Sequence, residues 1–278
     1  MKQIALFAGG LVAIAAQPAM AQEADSPHFD GFYVGASVNG DFIDDTRHDV
    51  LVFDPQGDGS YQRRLPTDAG TNAFSPGFCG GVATGRTPGA GCSDDDANVG
   101  YSVRLGFDKR VDDWAVAGLL LEGSLGNSRD STSGYSTTPA SYTLTREVDK
   151  SVALRGRIGI SPGDGRGLLY ATGGVAYGDI KHSFATTNTA NQFTVNDGDW
   201  RLGGQIGMGG ELMITDSLSF GVEYLFTRYD DDDYSVTASQ GSAPDSNPFV
   251  RQSGETNIRS SNYDLKNHSV RATFGFHF

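Results

Sequence analysis

Asp264–Phe278 read D-L-K-N-H-S-V-R-A-T-F-G-F-H-F. Apolar side chains occupy alternate positions of this stretch, and the last three of them are Phe274, Phe276 and Phe278. Strict alternation with a period of two predicts a β-strand that has one apolar and one polar face. About ten residues with an aromatic end is the length of a strand that crosses a membrane in a tilted barrel wall. Because strands of soluble sandwiches also alternate, the rest of the chain must decide between the two.

Alternation recurs in seven other segments, which predicts eight strands in all. The seven segments are Gly31–Phe42, Val99–Asp108, Trp114–Gly126, Val148–Ile160, Leu168–Ile180, Trp200–Ile214 and Leu218–Tyr229. The pattern leaves the facing of Leu168–Ile180 ambiguous, and we expect its outward face to carry Leu169, Ala171, Val175 and Tyr177.

Short and long connections alternate between these segments. The short ones are turns rich in Asp, Gly, Pro and Ser, namely Lys109–Asp113, Ser161–Gly167 and Thr215–Ser217. The long ones are residues 43–98, 127–147, 181–199 and 230–263. A Greek-key sandwich has no reason to alternate in this way, whereas outer-membrane barrels have short periplasmic turns and long outer loops. Residues 31–278 are therefore predicted to be all-β, an eight-stranded antiparallel up-and-down transmembrane β-barrel with both termini periplasmic.

Residues 1–21 predict a cleaved signal peptide, because Lys2 precedes an apolar run that ends in the small-x-small site Ala19-Met20-Ala21. Residues 22–30 are then a short periplasmic segment. No later apolar stretch approaches the 18 or so residues that a spanning helix needs, and a closed barrel is the other structure that pairs every backbone polar group in a bilayer. The formal charge of −13 without a basic cluster argues against nucleic acid as a partner.

Four short motifs carry a resemblance to a known family. They are Gly31–Gly35 (G-F-Y-V-G), Leu154–Gly159 (L-R-G-R-I-G), Tyr170–Gly178 (Y-A-T-G-G-V-A-Y-G) and Glu223–Thr227 (E-Y-L-F-T). Together they resemble the small eight-stranded porin-family surface antigens of α-proteobacteria, of the Omp25/Omp31 type. The resemblance implies that the last strand closes the barrel against the first, and that the outer-membrane assembly machinery recognises the terminal Phe274, Phe276 and Phe278. It covers the strands and turns, so no loop function carries over.

Charged residues fall on the polar faces of the predicted strands, which point into the lumen. The cations are Arg104, Arg155, Arg157, Arg201 and Arg271, and the acids are Asp41, Asp108, Glu122, Glu211 and Glu223. The interior of an eight-stranded barrel is just wide enough for side chains to fill. Arginine–carboxylate pairs would satisfy one another there as a plug, and we expect Arg104, Arg155 or Arg157 to pair with Glu122, Glu211 or Glu223. The alternative is a polar path for small solutes, although selective pores usually show rings of one sign.

Cys79 and Cys92 lie in the first long connection and predict a disulfide, because the cell surface is oxidising and an even pair closes a loop. No histidine lies between them, so no metal site and no cofactor are expected. The acidic runs Asp94–Asp96 and Asp230–Asp233 indicate either divalent-cation capture beside a lipopolysaccharide layer or a solvated acidic rim. Asp44–Ala97 and Asp230–Tyr263 are expected to hold little buried core, with Asp49–Phe53 and Tyr234–Ala238 extending strands beyond the membrane.

These features predict an outer-membrane surface protein with a structural and surface-interaction role, in contact with outer-membrane lipid and lipopolysaccharide and with a host or surface ligand through its loops. A narrow porin is the alternative. A lipid A-modifying enzyme is more remote, because the sequence neighbours His182-Ser183 and His268-Ser269 would point to opposite faces of a strand and form no dyad. A dyad between strands is not visible in the sequence.

Overall fold

The computed structural model describes residues 28–43, 49–95, 97–196 and 200–278. The predicted signal peptide therefore lies outside the described residues. Within the described ranges the chain forms fifteen strands and one 3₁₀ turn, Pro88–Ala90. The strands are β1 (Gly31–Ile43), β2 (Leu51–Asp54), β3 (Gly77–Gly80), β4 (Val82–Ala83), β5 (Cys92–Ser93), β6 (Asn98–Arg110), β7 (Ala115–Ser136), β8 (Ala140–Ile160), β9 (Gly167–Thr186), β10 (Gln192–Asn196), β11 (Trp200–Met213), β12 (Leu218–Asp230), β13 (Ser235–Ser239), β14 (Glu255–Ser260) and β15 (Asp264–His277). No helix in these ranges is long and apolar enough to cross a membrane.

Eight of the strands form a closed antiparallel ring. Its order is β1, β6, β7, β8, β9, β11, β12 and β15, and β15 pairs back onto β1. These are the eight predicted strands, each within a few residues of its predicted bounds on the barrel itself. The all-β fold class and the closure of the last strand against the first are confirmed. Three short turns lie at one end of the barrel, which we call the turn end, and the long connections lie at the other, the cap end.

Side chains alternate strictly between the inside and the outside of the ring. Apolar residues point outward and are about half exposed or more, as Val103, Leu119 and Ile158 illustrate. The ambiguous strand β9 follows the predicted facing, because Leu169 and Val175 point outward while Tyr170 is buried in the interior. On every barrel strand, therefore, the outward face is apolar and no other part of the described chain covers it, whereas the inward face is buried in the lumen.

Strands β7 and β8 continue beyond the barrel as a long hairpin. Their pairing shifts register between Leu125 and Ser128, where a bulge lets the hairpin leave the ring. Most of the long connection predicted over residues 127–147 therefore continues the two strands, and only residues 137–139 lie outside them. The serines and threonines of this stretch form a polar strand that carries no apolar alternation. Strand β3 covers the other edge of β7 at this level.

The outer parts of the four long connections form one folded unit, which we call the cap. A four-stranded sheet in the order β10, β13, β14 and β2 packs over a buried core. The core members are Leu51, Phe53, Leu65, Ala73, Phe74, Ala140, Tyr142, Leu144, Tyr234, Val236, Ala238, Phe249, Val250 and Ile258. The expectation that the first and fourth connections hold little core is wrong, although β2 and β13 do include most of the two segments predicted as strands.

Candidate functional site

Five charged side chains from five strands meet in the middle of the barrel, and we call them the central cluster. Arg155 Nη2 lies 2.8 Å from Glu122 Oε2, and its Nη1 lies 3.1 Å from Glu223 Oε1. Arg104 Nη2 lies 3.1 Å and 3.4 Å from the same two oxygens. Arg271 donates a further hydrogen bond to Glu122 Oε1. All five side chains are buried. Each acid is paired with more than one guanidinium, so no carboxylate lies unpaired in the low-dielectric interior.

A second group of charges, the lower cluster, lies nearer the turn end. Arg157 Nε lies 2.8 Å from Asp108 Oδ1, and Arg157 Nη1 lies 2.9 Å from Glu211 Oε2. The guanidinium is also 4.6 Å from the ring centre of Tyr33 and 5.2 Å from that of Tyr170, which are cation–π distances. The Tyr33 ring occupies the space where a side chain on Gly106 would stand. Both clusters are thus held by side chains that fill the lumen.

The register of β12 and β15 brings Ser219 within reach of a base that sequence reasoning did not find. Ser219 Oγ lies 3.0 Å from His277 Nε2 and donates a 2.6 Å hydrogen bond to Glu211 Oε1. His277 Nε2 also lies 3.2 Å from Glu211 Oε1. In a Ser-His-acid triad the acid contacts the other ring nitrogen, and the hydroxyl hydrogen bonds to the base. Here one ring nitrogen contacts both groups and Ser219 is fully buried, so the geometry differs from that of a triad.

Apolar layers lie on both sides of the charged clusters. The layer at the turn end consists of Phe29, Val116, Leu168, Tyr170 and Met213. The layer toward the cap consists of Val148, Ala153, Ala176, Ile180, Tyr229 and Leu265. Between the central cluster and this second layer is a cavity of about 30 Å³ among Asn39, Asp41, Gln205 and Arg271. That volume is large enough to hold at least one water molecule.

Arg201 lies apart from the lumen clusters, which corrects its predicted place among them. Its Nε lies 3.2 Å from Asp231 and its Nη1 lies 2.9 Å from Asp233. Asp231 is buried beneath the cap, where it also contacts His182 Nε2 at 2.9 Å and Arg146 at 3.8 Å. The second acidic run therefore supplies counter-charges to basic side chains at the barrel rim.

The predicted disulfide between Cys79 and Cys92 is present. It ties β3, which pairs with β7, to the β4–β5 hairpin that packs against the outer end of β7. Asp95 of the first acidic run accepts a 2.7 Å hydrogen bond from the Ser131 backbone, and burial raises the pKa of its carboxyl. Across the described ranges, no group of three or more His, Cys, Asp or Glu is arranged to hold a metal ion.

Residue Phe29 was not expected to matter, because it lies before the first strand in a segment with no pattern. Its ring is buried at the turn end and meets His277 edge to face at 5.5 Å. Its backbone adopts φ +59°, which is uncommon for a bulky residue. Arg110 fixes the segment by donating hydrogen bonds to the His28 carbonyl oxygen at 3.0 and 3.3 Å. Residues 28–30 therefore close the base of the barrel.

The outer surface of the ring forms a band of exposed apolar side chains. Trp114 is exposed beside the turn end, and Tyr177 stacks on Trp200 at 5.1 Å toward the cap end. Aromatic residues at both edges of an apolar band are typical of barrels in an outer membrane, where they lie at the two lipid–water interfaces. An exposed apolar surface of this extent is stable in lipid and not in water.

Similar folds occur among solved outer-membrane barrels. OprG from Pseudomonas aeruginosa has a TM-score of 0.52 and 13% identity, with 91% of this chain and 99% of that chain covered. Neisserial surface protein A (TM-score 0.37, 9% identity, 90% and 98% covered) and the protease OmpT from Escherichia coli (TM-score 0.42, 10% identity, 92% and 99% covered) are more distant in structure. No protein-family model and no curated protein matches the chain.

The closed ring, the apolar band and the fold shared with OprG define an outer-membrane β-barrel protein. At 13% identity the likeness to OprG extends to the fold alone. The more specific resemblance to the α-proteobacterial surface antigens stays a prediction.

Deleting Phe278 is expected to reduce the amount of assembled barrel in the outer membrane several-fold. Phe278 is 72% exposed and its ring contacts Phe276, so its loss removes little side-chain packing and one backbone hydrogen bond, from the Phe278 N–H to the Phe32 carbonyl oxygen at 3.0 Å. A fall in yield with an unchanged melting temperature of the assembled fraction would indicate recognition by the assembly machinery. Phe32→Ala is the matched control, because Phe32 is 60% exposed on the same end of the outer surface. Full yield of the truncated chain would contradict the predicted signal.

Proposed function

We propose that this protein is a structural and surface-interaction component of the outer membrane, with a barrel that anchors the cap and passes no solutes. The observation that carries the proposal is the stacking of two buried ion clusters between two apolar layers inside the ring. An ion or sugar that crossed the lumen would have to separate Arg155 from Glu122 and Glu223. Breaking a buried pair of this kind costs roughly 3–5 kcal/mol.

The charge balance of the lumen also favours a plug over a pore. The central cluster combines three arginines with two glutamates, and the lower cluster combines one arginine with two acids. Selective pores present rings of a single sign to a water-filled path. Here the signs alternate and the side chains pair with each other, so little is left to bind a passing solute.

The proposed orientation places the cap on the cell surface and both termini in the periplasm. It is supported by the length pattern, since short turns in outer-membrane barrels lie on the periplasmic side. In this orientation the exposed pairs Arg129–Glu147 and Lys150–Asp179 lie on the outer part of β7, β8 and β9, at the level of the lipopolysaccharide headgroups. Lipopolysaccharide, outer-membrane lipid and the assembly machinery are therefore the proposed partners. Surface ligands would meet the cap.

We further propose that the protein is not an enzyme, because Ser219 is buried and already donates to Glu211. Expression of the wild-type chain and of Ser219→Ala should leave the same lipid A acylation pattern as an empty vector. A change in acylation that Ser219→Ala abolishes would overturn this assignment.

Conductance in planar bilayers tests the closed lumen. Wild-type protein, checked for insertion by its heat-modifiable migration, is expected to add no steady conductance to the bare bilayer. A variant that replaces Arg155, Glu122 and Glu223 by serine removes three of the five members of the central cluster, changes the cluster's net charge by one unit, and should conduct. Steady single-channel currents from the wild type would instead establish the narrow porin.

A further inference from the structure

The four long connections meet at a cavity in the end of the cap farthest from the barrel. Its volume is about 200 Å³, and its walls include Phe74, Arg86, Thr138, Tyr142, Asn188 and Phe249. The first connection contributes Phe74 and Arg86, the second the β7–β8 turn, the third Asn188 and the fourth Phe249. Loops held by a rigid scaffold are where binding residues usually lie. A concave site assembled from all four connections is the strongest candidate for recognition in the cap.

The floor of the cavity is aromatic and fixed in place. Tyr142 lies 5.1 Å from Phe74 and 5.6 Å from Phe249, measured between ring centres. All three residues belong to the buried core of the cap, so their rings are held by packing on several sides. Because these residues are only 1–4% exposed, they offer a ligand fixed apolar edges at the base of the cavity and no open ring face.

The walls are polar and already ordered by hydrogen bonds. Asn188 Nδ2 donates to Tyr142 Oη and to Asn191 Oδ1, both at 3.0 Å, and its Oδ1 accepts from the Ala190 backbone at 2.8 Å. Thr138 and Thr189 also line the cavity. A small apolar base beneath polar walls suits a compact ligand that is rich in hydroxyl groups, such as a sugar ring.

Arg86 is the one charged residue among those that line the cavity, in a chain whose formal charge is −13. Its Nε donates to the Pro139 carbonyl oxygen at 3.2 Å, which orients the guanidinium. Among the residues that the structure describes, Nη1 and Nη2 have no hydrogen-bond partner in the protein. A planar guanidinium with two free donor groups binds a carboxylate in a bidentate manner.

We propose that this cavity, which we call the cap pocket, binds an acidic monosaccharide, with its carboxylate on Arg86 and its hydroxyl groups against the polar walls. The volume is below the roughly 300–1,000 Å³ of pockets for larger organic ligands, so a single sugar ring is the expected size. This inference rests on the proposed function in one respect, because the pocket meets external sugars only if the cap is on the cell surface.

Binding of glucuronate to the purified, detergent-solubilised protein tests the proposal, with saturation-transfer NMR or calorimetry as the readout. A small polar ligand of this kind should bind with a Kd on the order of 1 mM. Glucose, which lacks the carboxylate, should bind at least tenfold more weakly, as should benzoate, which lacks the hydroxyls. Arg86→Gln should reduce glucuronate affinity at least tenfold, and Arg86→Lys should fall between it and wild type. Arg63→Gln is the matched control, because Arg63 is exposed in the same connection and does not line the pocket.

Equal binding of glucose, equal binding of benzoate, or undiminished binding by Arg86→Gln would each overturn the assignment. So would the absence of glucuronate binding at tens of millimolar while the cap keeps its resistance to trypsin. A failure to bind glucuronate would not affect the proposal of a non-conducting barrel, since conductance is measured without any sugar. Conversely, a conducting wild-type barrel would refute the proposed function even if glucuronate bound to Arg86.

Discussion

Replacing Glu122 by glutamine is expected to lower the free energy of unfolding by about 3–5 kcal/mol. Glutamine has the same shape, so the change removes charge and leaves packing almost intact. Glu122 contacts Arg104, Arg155 and Arg271, and all three would face a buried neutral amide. The remaining acid of the cluster, Glu223, cannot neutralise three guanidinium groups. The large expected effect comes from these uncompensated charges.

Equilibrium unfolding in lipid vesicles measures this difference, with the fluorescence of Trp114 and Trp200 as the signal. Asp216→Asn is the control, because Asp216 is 88% exposed in a turn and pairs with the exposed Arg166. Surface pairs contribute at most about 1 kcal/mol, so the control should remain close to wild type. If Glu122→Gln were no more destabilising than Asp216→Asn, water would have to reach the central cluster. That result would favour the narrow porin over the plugged barrel.

Replacing Phe53 by alanine is expected to destabilise the cap by about 3–5 kcal/mol and to leave the barrel assembled. Phe53 is fully buried, and its ring centre lies 4.4 Å from that of Phe74. Strands β2, β10, β13 and β14 pair only with each other, so the ring keeps all of its strand pairings. The loss should therefore be confined to the cap.

Trypsin treatment of intact cells measures this loss and the orientation together. Cleavage after Arg63 and Arg64 should become at least tenfold faster in Phe53→Ala than in wild type, with normal amounts of barrel in the outer membrane. Val82→Ala is the control, because Val82 is a half-exposed residue of the cap. Arg166, in a short turn, should stay intact in every variant. Cleavage after Arg166 from outside would invert the topology, and loss of assembled barrel in Phe53→Ala would show that cap and barrel fold as one unit.

The barrel could be predicted because each of its strands satisfies a rule that the sequence displays locally. Lipid contacts one face of each strand and a packed lumen contacts the other. Alternation alone therefore predicts that Leu119 and Leu121 point outward and Glu122 points inward. The two cysteines could be paired because they are the only two in the chain. Alternation left the facing of β9 ambiguous, and the expected outward positions of Leu169 and Val175 are the ones observed.

The cap could not be predicted because its core is assembled from positions that show no period. Phe53, Phe74, Tyr142 and Phe249 come from three connections and meet only in the folded molecule. Contacts that depend on register were hidden for the same reason. Ser219 meets His277 because β12 and β15 pair in one particular alignment, and Arg201 meets Asp231 because β11 begins at the rim.

Residues of the cap that contact each other are far apart in the sequence, and this separation affects the order in which the molecule assembles. The Val50 backbone donates a hydrogen bond to Ser261 Oγ, 211 positions later in the chain, and Leu51 pairs with Ser260. Contacts this distant in sequence form late, since the intervening chain must first be brought together. The segment that holds Leu51 precedes β6, while Ser260 directly precedes β15, the strand that closes the ring on β1. A partly assembled molecule therefore has an incomplete cap. The cap finishes folding at about the time that β15 closes the barrel.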